Sequence, residues 1–229
     1  MKIALVFLTK NEITGLRAVF DRVPRGIFDE AFVVDGGSQD GTLEFFRAKG
    51  VRVLSQSSPG RGEAFRLAFE NSKANVIVFF SPDGNEDPAD LPKFRNYLEK
   101  GFDMVIASRM TRGAWNEEDA QILRFRKWAN LAFGAVANLI WNRSPWVSDT
   151  INGYRAITRS CFEALKPDAK GFTIEYQMTI RAMKKNFKIV EFPTREGSRI
   201  GGTTGAKSLP TGLVFLRLLL REICVGKKF

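Results

Sequence analysis

Two carboxylates follow apolar runs at matching places in this chain. Asp35 closes the run Ala31-Phe32-Val33-Val34, and Asp83 comes shortly after Val76-Ile77-Val78-Phe79-Phe80. Glycines follow each of them, Gly36 and Gly37 in one case and Gly84 in the other, and permit the tight turn that leads from a buried strand into the next helix. A carboxylate at the carboxyl end of a strand stands on the edge of an open α/β sheet where ligands dock, and it can accept hydrogen bonds from a base or a ribose. Two acidic loops at one edge suit a nucleoside diphosphate with a divalent cation. Mg²⁺ usually takes one or two protein carboxylates and fills its other positions with phosphate oxygens and water. The competing reading of each loop is a capped strand-to-helix turn with no ligand.

The rest of the composition narrows the chemistry. The 229 residues include no histidine, which removes the usual general base, the Ser/His/Asp triad and the common zinc ligand together. Acid, base or metal chemistry therefore rests on carboxylates. Cys161 and Cys224 are far apart and lack metal-ligand spacing, so neither a disulfide framework nor a zinc cluster is expected. The formal charge of +10 points to an anionic partner, which the sign alone leaves open among nucleic acid, an anionic membrane and phosphorylated substrates. No basic stripe carries the interleaved aromatics of a nucleic-acid surface, and nucleic acid is not expected as a partner. The apolar start, residues 1–8, is too short and too quickly followed by Lys10, Asn11 and Glu12 for a signal peptide. It reads as a first strand in a cytoplasmic protein.

A scaffold must hold these side chains, and the periodicity supplies one. Buried strands are expected over 3–9, 31–35, 51–55, 76–80 and 103–107, alternating with amphipathic helices over 12–22, 41–49, 62–71 and 89–100. That alternation implies right-handed βαβ units and a mostly parallel central sheet flanked by helices, an α/β fold. After Arg109 the pattern changes to a polar loop over 111–119 and a long amphipathic helix over 122–141 with Arg124, Arg126 and Lys127 near its start. A helix over 171–186, a strand over 188–192 and a Gly-rich basic loop over 195–207 follow. Residues 209–225 are apolar but broken by Arg217, Arg221 and Glu222, too short and too charged for a bilayer span of about 20 apolar residues. They fit an amphipathic interfacial helix, with Lys227 and Lys228 as anchors for anionic lipid, or a helix packed on its own domain or on a partner. The expected division is a catalytic domain over 1–207 and a surface helix over 208–229.

Several segments then combine into a resemblance. Thr9-Lys10-Asn11-Glu12, residues 33–42, Gly60-Arg61-Gly62-Glu63-Ala64 and Ser81-Pro82-Asp83-Gly84-Asn85 together resemble family 2 glycosyltransferases of the Rossmann-like GT-A fold. Ala107-Ser108-Arg109, residues 149–155 and residues 171–175 are similar to the polyprenyl-phosphate hexosyltransferase branch, that of dolichyl-phosphate mannose synthase. The similarity runs from about residue 3 to about residue 207.

The resemblance implies that Thr9, Asn11, Glu12, Asp35 and Gly37 line the nucleoside pocket, with Asp35 toward the base, and that Arg61 and Gly62 belong to a loop that approaches the donor. Asp83 takes the last position of the family's Asp-x-Asp metal motif, with Asn85 beside it, and Mg²⁺ or Mn²⁺ is the implied cofactor. Ser81 stands where that motif has its first aspartate. The implied acceptor is a polyprenyl (dolichyl) phosphate, whose oxygen is already anionic, so inverting attack on the sugar C1 needs little or no general base. Cations must hold two phosphorylated reactants together, for which Arg109, Arg124, Arg126 and Arg199 are the candidates, with Lys207 behind them.

The expected function is transfer of a hexose from a nucleotide-sugar of the GDP-mannose or UDP-glucose type at the inner, cytoplasmic face of a membrane. Asp83, Arg109, Arg124, Arg126 and Asp149 form the expected catalytic set, and the chain is peripheral, docked on lipid, on a membrane subunit or on a second copy. Asp149 orients a substrate, or acts as base if the acceptor is a hydroxyl. Arg155 is a structural partner for Asp149, Tyr154 and Trp146 are candidate sugar platforms, and Glu175 at a helix start is a further candidate. The alternatives are a transferase with a soluble or glycan hydroxyl acceptor and a non-catalytic nucleotide-sugar-binding protein.

Overall fold

Strand β1 (Ile3–Thr9) is apolar up to its last residue, and all seven of its residues are buried, as the middle of a sheet covered on both faces requires. The structure, a computed structural model, describes residues 1–143, 145–201 and 208–229. Around β1 are assembled β2 (Glu30–Asp35), β3 (Arg52–Ser55), β4 (Val76–Phe80), β5 (Met104–Ser108), β6 (Arg155–Thr158) and β7 (Ile189–Pro193), in the order β3-β2-β1-β4-β6-β5-β7. The pairs β2/β3, β1/β2, β1/β4 and β5/β7 are parallel, whereas β6 runs antiparallel to both β4 and β5. The expected mostly parallel sheet is therefore present. Its one antiparallel strand, and the helix that follows it, have no counterpart in the periodicity.

The reason lies in Arg155. A four-residue strand that opens on arginine carries no apolar alternation to detect, yet Arg155 is fully buried. Its guanidinium donates to the carbonyls of Asn152, Thr150 and Glu175 and to Thr179 Oγ1. Burial pulls its pKa down to about 10. The structural partner expected for it, Asp149, is not among these acceptors.

Helices α1 (Ile13–Val19), α2 (Thr42–Ala48) and α4 (Leu91–Glu99) cover one face of the sheet, and α3 (Arg61–Asn71), α5 (Phe125–Trp141), α6 (Arg159–Leu165), α7 (Ile174–Lys184) and α8 (Ser208–Val225) belong to the other side. On the first face Phe7 meets Phe20, Phe46 and Phe80 at ring separations of 6.2, 5.3 and 5.9 Å. Truncating so central an aromatic costs about 3–5 kcal/mol.

Helix α5 starts three residues later than the periodicity suggests, because residues 117–120 form a short 3₁₀ turn with a reciprocal capping box between Asn116 and Asp119. Helix α8 buries Phe215, Leu218 and Leu219 in the core and places a fully buried Glu222 against Arg181 Nε at 3.1 Å and Lys184 Nζ at 2.7 Å. Among the described residues, no helix is long and apolar enough to cross a membrane.

Candidate active site

The parallel register pairs Thr9 directly with Asp35 at the carboxyl ends of β1 and β2. Thr9 Oγ1 donates to Asp35 Oδ1 at 3.1 Å, and the backbone N–H groups of Gly37 and Ser38 each donate to Oδ2 at 2.8 Å. Ser38 Oγ adds a further bond to Oδ1. Gly37 sits at φ +89°, a conformation that L side chains resist, and this aims its N–H back at the carboxylate. Asn11 ties the same turn to β1 by accepting from the Gln39 N–H at 2.8 Å while its own N–H donates to Ser38 Oγ. Thr9, Asn11, Asp35 and Gly37 are thus brought together by their mutual bonds, and none of them lines either of the site's cavities. The Asp35 carboxylate, however, is completely buried and occupied by its own turn.

The loop after β4 is arranged differently. Ser81, Asp83, Asn85 and Glu86 line a polar cavity of about 160 Å³, together with Arg61, Arg109, Asn152, Gly153, Tyr154, Thr194 and Glu196. Asp83 Oδ1 accepts from the Asn85 N–H at 3.0 Å, and Oδ2 accepts from Arg199 Nη1 at 2.8 Å. Arg199 reaches on to Glu12 through its other terminal nitrogen. Burial raises the Asp83 carboxyl above the usual range despite the Asn85 N–H and the guanidinium groups of Arg199 and Arg61. Burial, with Asp83 close by, pushes Glu86 well above it, although the Ser81 N–H donates to Glu86 Oε2 at 2.7 Å.

These residues fit a hard divalent cation. Asn85 Oδ1 is a buried oxygen without a hydrogen-bond partner among the described residues, two residues from the Asp83 carboxylate, and such oxygens are what Mg²⁺ and Mn²⁺ take. No group of three or more His, Cys, Asp or Glu among the described residues forms a preassembled cation cage. An ion here would therefore draw further ligands from phosphate or water.

Beside this cavity Arg109 forks onto Asp149, Nε to Oδ2 at 2.8 Å and Nη2 to Oδ1 at 3.0 Å, while Nη1 donates to Glu196 Oε1 at 3.0 Å. Asp149 also accepts from the Arg109 N–H, Asn130 Nδ2 and the Asn152 N–H. Burial alone would raise its carboxyl, but the Arg109 guanidinium and the bonds from Arg109 and Asn130 outweigh that and hold it below the usual range. A fully buried carboxylate with five donors on it is a poor base, which argues against the alternative in which Asp149 serves a hydroxyl acceptor, and its bonds fix the Arg109 guanidinium in place. Gly62 is likewise turned inward. Its N–H donates to the Lys170 carbonyl at 2.9 Å and is not free for a phosphate.

A second and larger cavity, about 750 Å³, shares Arg61, Arg109, Asn152, Gly153 and Glu196 with the first and is lined for much of its extent by Phe125, Phe133, Ile151, Phe172 and Phe215. Arg126 and Lys127 stand on its wall beside Glu117 and Glu118. Three cations at the start of α5 face the unfavourable end of its dipole, and the acidic turn offsets this. Arg126 donates to Glu118 at 2.7 Å, Arg124 to Asp119 at 3.1 Å, and Lys127 Nζ to Asp119. Of the cations grouped from the sequence, Arg109 and Arg126 meet at this cavity. Arg124 faces Asp119 outside it, Arg199 lies with Glu12 and Asp83, and Lys207 falls outside the described residues.

The platform expectation for Tyr154 is also corrected. Its ring is buried against Phe80 and Phe94, and its hydroxyl donates to the Asp87 carbonyl at 2.9 Å. Trp146 is exposed and lines neither cavity. Glu196 and Asn130 are the residues that reading the sequence missed. Glu196 sits in a loop that reads as basic and meets Arg109 from 87 positions away, so nothing local marks it. Asn130, a polar residue on the buried side of α5, carried a usable signal.

Comparison with known proteins bears on this arrangement. The description "Glycosyl transferase family 2" matches residues 5–165. Glycosyltransferase AglJ of Haloferax volcanii is 30% identical over 222 residues, which cover 93% of this chain and 69% of that protein. The dolichyl-phosphate hexose transferase of the same organism is 31% identical over 205 residues, 88% of this chain and 85% of the relative. Among solved structures, glucosyl-3-phosphoglycerate synthase from Mycobacterium tuberculosis, in complex with Mn²⁺, UDP and phosphoglyceric acid, superposes with a TM-score of 0.74 at 22% identity, over 100% of this chain and 79% of that one. The seven-stranded sheet with its flanking helices is thus the GT-A arrangement.

Proposed function

This chain belongs to glycosyl transferase family 2, and from that premise we propose that it moves a hexose, with inversion, from a nucleotide-sugar of the GDP-mannose or UDP-glucose type to a polyprenyl phosphate at a membrane surface. The observation that carries this reading is the pair of joined cavities. One is small and polar and holds Asp83, Arg61 and Arg109; the other is large, walled by aromatic rings and edged by Arg109, Arg126 and Lys127. A donor diphosphate matches the first, and an isoprenoid chain ending in phosphate matches the second. Arg109 touches both and so stands between two phosphorylated reactants.

In the proposed reaction an oxygen of the acceptor phosphate attacks the anomeric carbon, the bond from that carbon to the donor diphosphate breaks, and the nucleoside diphosphate leaves. The attacking oxygen carries no proton at neutral pH, so no base is needed, in agreement with the saturated Asp149. Arg109, held by Asp149 and Glu196, is preorganised to face phosphate charge without reorganising. Asp83 and Asn85 would hold Mg²⁺ or Mn²⁺, whose contribution when bound is to neutralise the departing diphosphate.

The surface beside the second cavity supports the membrane part of the proposal. Ile122 just before α5, Phe125 and Trp128 in its first turn, and Leu213, Leu216 and Leu220 on α8, are exposed apolar side chains, Ile122 to 95%, and α5 packs against α8. Exposed Arg217, Arg221, Lys227 and Lys228 accompany them. An apolar face with a basic rim suits an anionic lipid surface.

The test is incubation with GDP-mannose or UDP-glucose, Mg²⁺ or Mn²⁺ and a short polyprenyl phosphate, with extraction of lipid-linked sugar. Product with one donor is the expected result. Donor turnover confined to hydroxyl acceptors would overturn the lipid reading.

A further inference from the structure

Glu175 opens α7 with its side chain 3% exposed. Its two oxygens are unequal. Oε1 accepts from Arg61 Nε, whereas Oε2 is buried without a hydrogen-bond partner among the described residues. Glu175 lines the larger cavity beside Arg61 and Gly153, two of the residues that line both cavities. Gly153 makes this packing possible, because a β-carbon there would fall 1.9 Å from Arg61 Nη2 and 3.1 Å from Glu175 Oε1. Arg61 is therefore pressed against the backbone of residue 153, and its charge already balances the carboxylate.

A buried carboxylate oxygen left without a donor is costly, and the neighbouring Arg61 limits what can relieve it. With the charge compensated, a further cation is not called for, and a phosphate oxygen would be repelled. The partner that fits is a neutral O–H. In the transfer proposed above, on which this inference rests, the diphosphate and the acceptor phosphate bring no such group, and the isoprenoid brings none. The donor carries hydroxyls on its ribose and on its hexose, and of the two it is the hexose that is bonded to the diphosphate at the carbon the acceptor phosphate attacks, which puts it at the junction between the cavities.

We propose that Glu175, held by Arg61 over Gly153, reads the transferred hexose by accepting a hydrogen bond from one of its hydroxyls at Oε2. It selects among sugars and takes no proton. Asp149, with five donors on it, has no comparable free oxygen.

The experiment compares binding of UDP with UDP-glucose, and of GDP with GDP-mannose, by calorimetry on the wild-type chain, Glu175→Gln and Glu175→Asp. Donors lacking a single sugar hydroxyl extend the series. The wild-type chain is expected to bind its nucleotide-hexose more tightly than the bare diphosphate and to lose roughly 10- to 100-fold when one particular hydroxyl is removed. Glu175→Gln should bind the complete donor and that deoxy donor with about equal affinity, and its loss with the complete donor should exceed its loss with the bare diphosphate, which reports the weakened hold on Arg61 alone.

Equal losses for diphosphate and nucleotide-hexose in both variants would overturn the proposal in favour of a purely structural ion pair. So would additive losses at every sugar position. A wild-type chain that binds nucleotide-hexose in this pattern yet transfers to no polyprenyl phosphate would overturn the acceptor assignment and leave the role of Glu175 standing.

Discussion

The turn after β2 and the loop after β4 leave the same edge of the sheet, and each presents an aspartate there, yet the two carboxylates are satisfied in opposite ways. Asp35 takes its bonds from Thr9, Gly37 and Ser38, groups fixed by strand register and a tight turn. Asp83 takes one from its own loop and its charged one from Arg199, carried by a distant segment after β7. The same division recurs across the site, where Asp149 is saturated while Glu175 keeps one oxygen without a partner among the described residues. A carboxylate closed by its own framework shapes the site, and one closed by a replaceable partner can exchange it for a ligand.

The largest expected effect lies on the closed side. Asp149→Asn leaves the Arg109 charge buried with Glu196 as its remaining carboxylate partner, and should lower stability by about 3–5 kcal/mol, read by denaturant unfolding at neutral pH. The sign of its pH dependence follows from the direction of the shift. A folded-state carboxyl held below the ordinary aspartate value of 3.8 stabilises the fold above that value, and the contribution is lost as pH falls through the lower folded value. The gap between wild type and variant should therefore close in acid. A gap independent of pH would mean that packing, not charge, sets the loss.

Next comes Asp83→Asn on the open side. Transfer should fall by about 10²- to 10³-fold, measured as nucleoside diphosphate release, with a smaller loss of stability than Asp149→Asn shows, since Arg199 keeps Glu12 as a partner. Burial already holds this carboxyl above its ordinary range, so removing its charge relieves a cost. A folding defect as large as that of Asp149→Asn would erase the distinction between the two classes.

The smallest effect is expected at Asp35. Asp35→Ala should cost about 1–3 kcal/mol by leaving the Gly37 and Ser38 N–H groups without their acceptor. On the proposal that this turn lines the nucleoside end of the donor site, donor KM should rise more than kcat falls. A drop in kcat alone would place Asp35 in the reacting half of the site.

Much of the scaffold is legible in the residues themselves. Buried runs ending near Asp35 and Asp83, glycines at the turns and helical spacing between the strands are local signals, and the sheet follows them. Strand β6 escaped because its arginine is buried through acceptors supplied by residues elsewhere in the fold, the carbonyls of Asn152, Thr150 and Glu175 and the hydroxyl of Thr179. In the same way the cations of the site could be named but not sorted. Arg126 meets Glu118 over 8 positions, Arg109 meets Glu196 over 87, and Arg199 meets Glu12 over 187.

What this sequence determined by itself is the family, the alternation of strands and helices, and a chemistry built on carboxylates and arginines without histidine. These depend on residue type and short-range spacing. Tertiary structure alone decided which carboxylates are spent on the framework and which remain available. Hydrogen-bond saturation is set by partners that only the folded chain brings within 3 Å or so of one another. The matching placement of Asp35 and Asp83 along the chain could not reveal that difference.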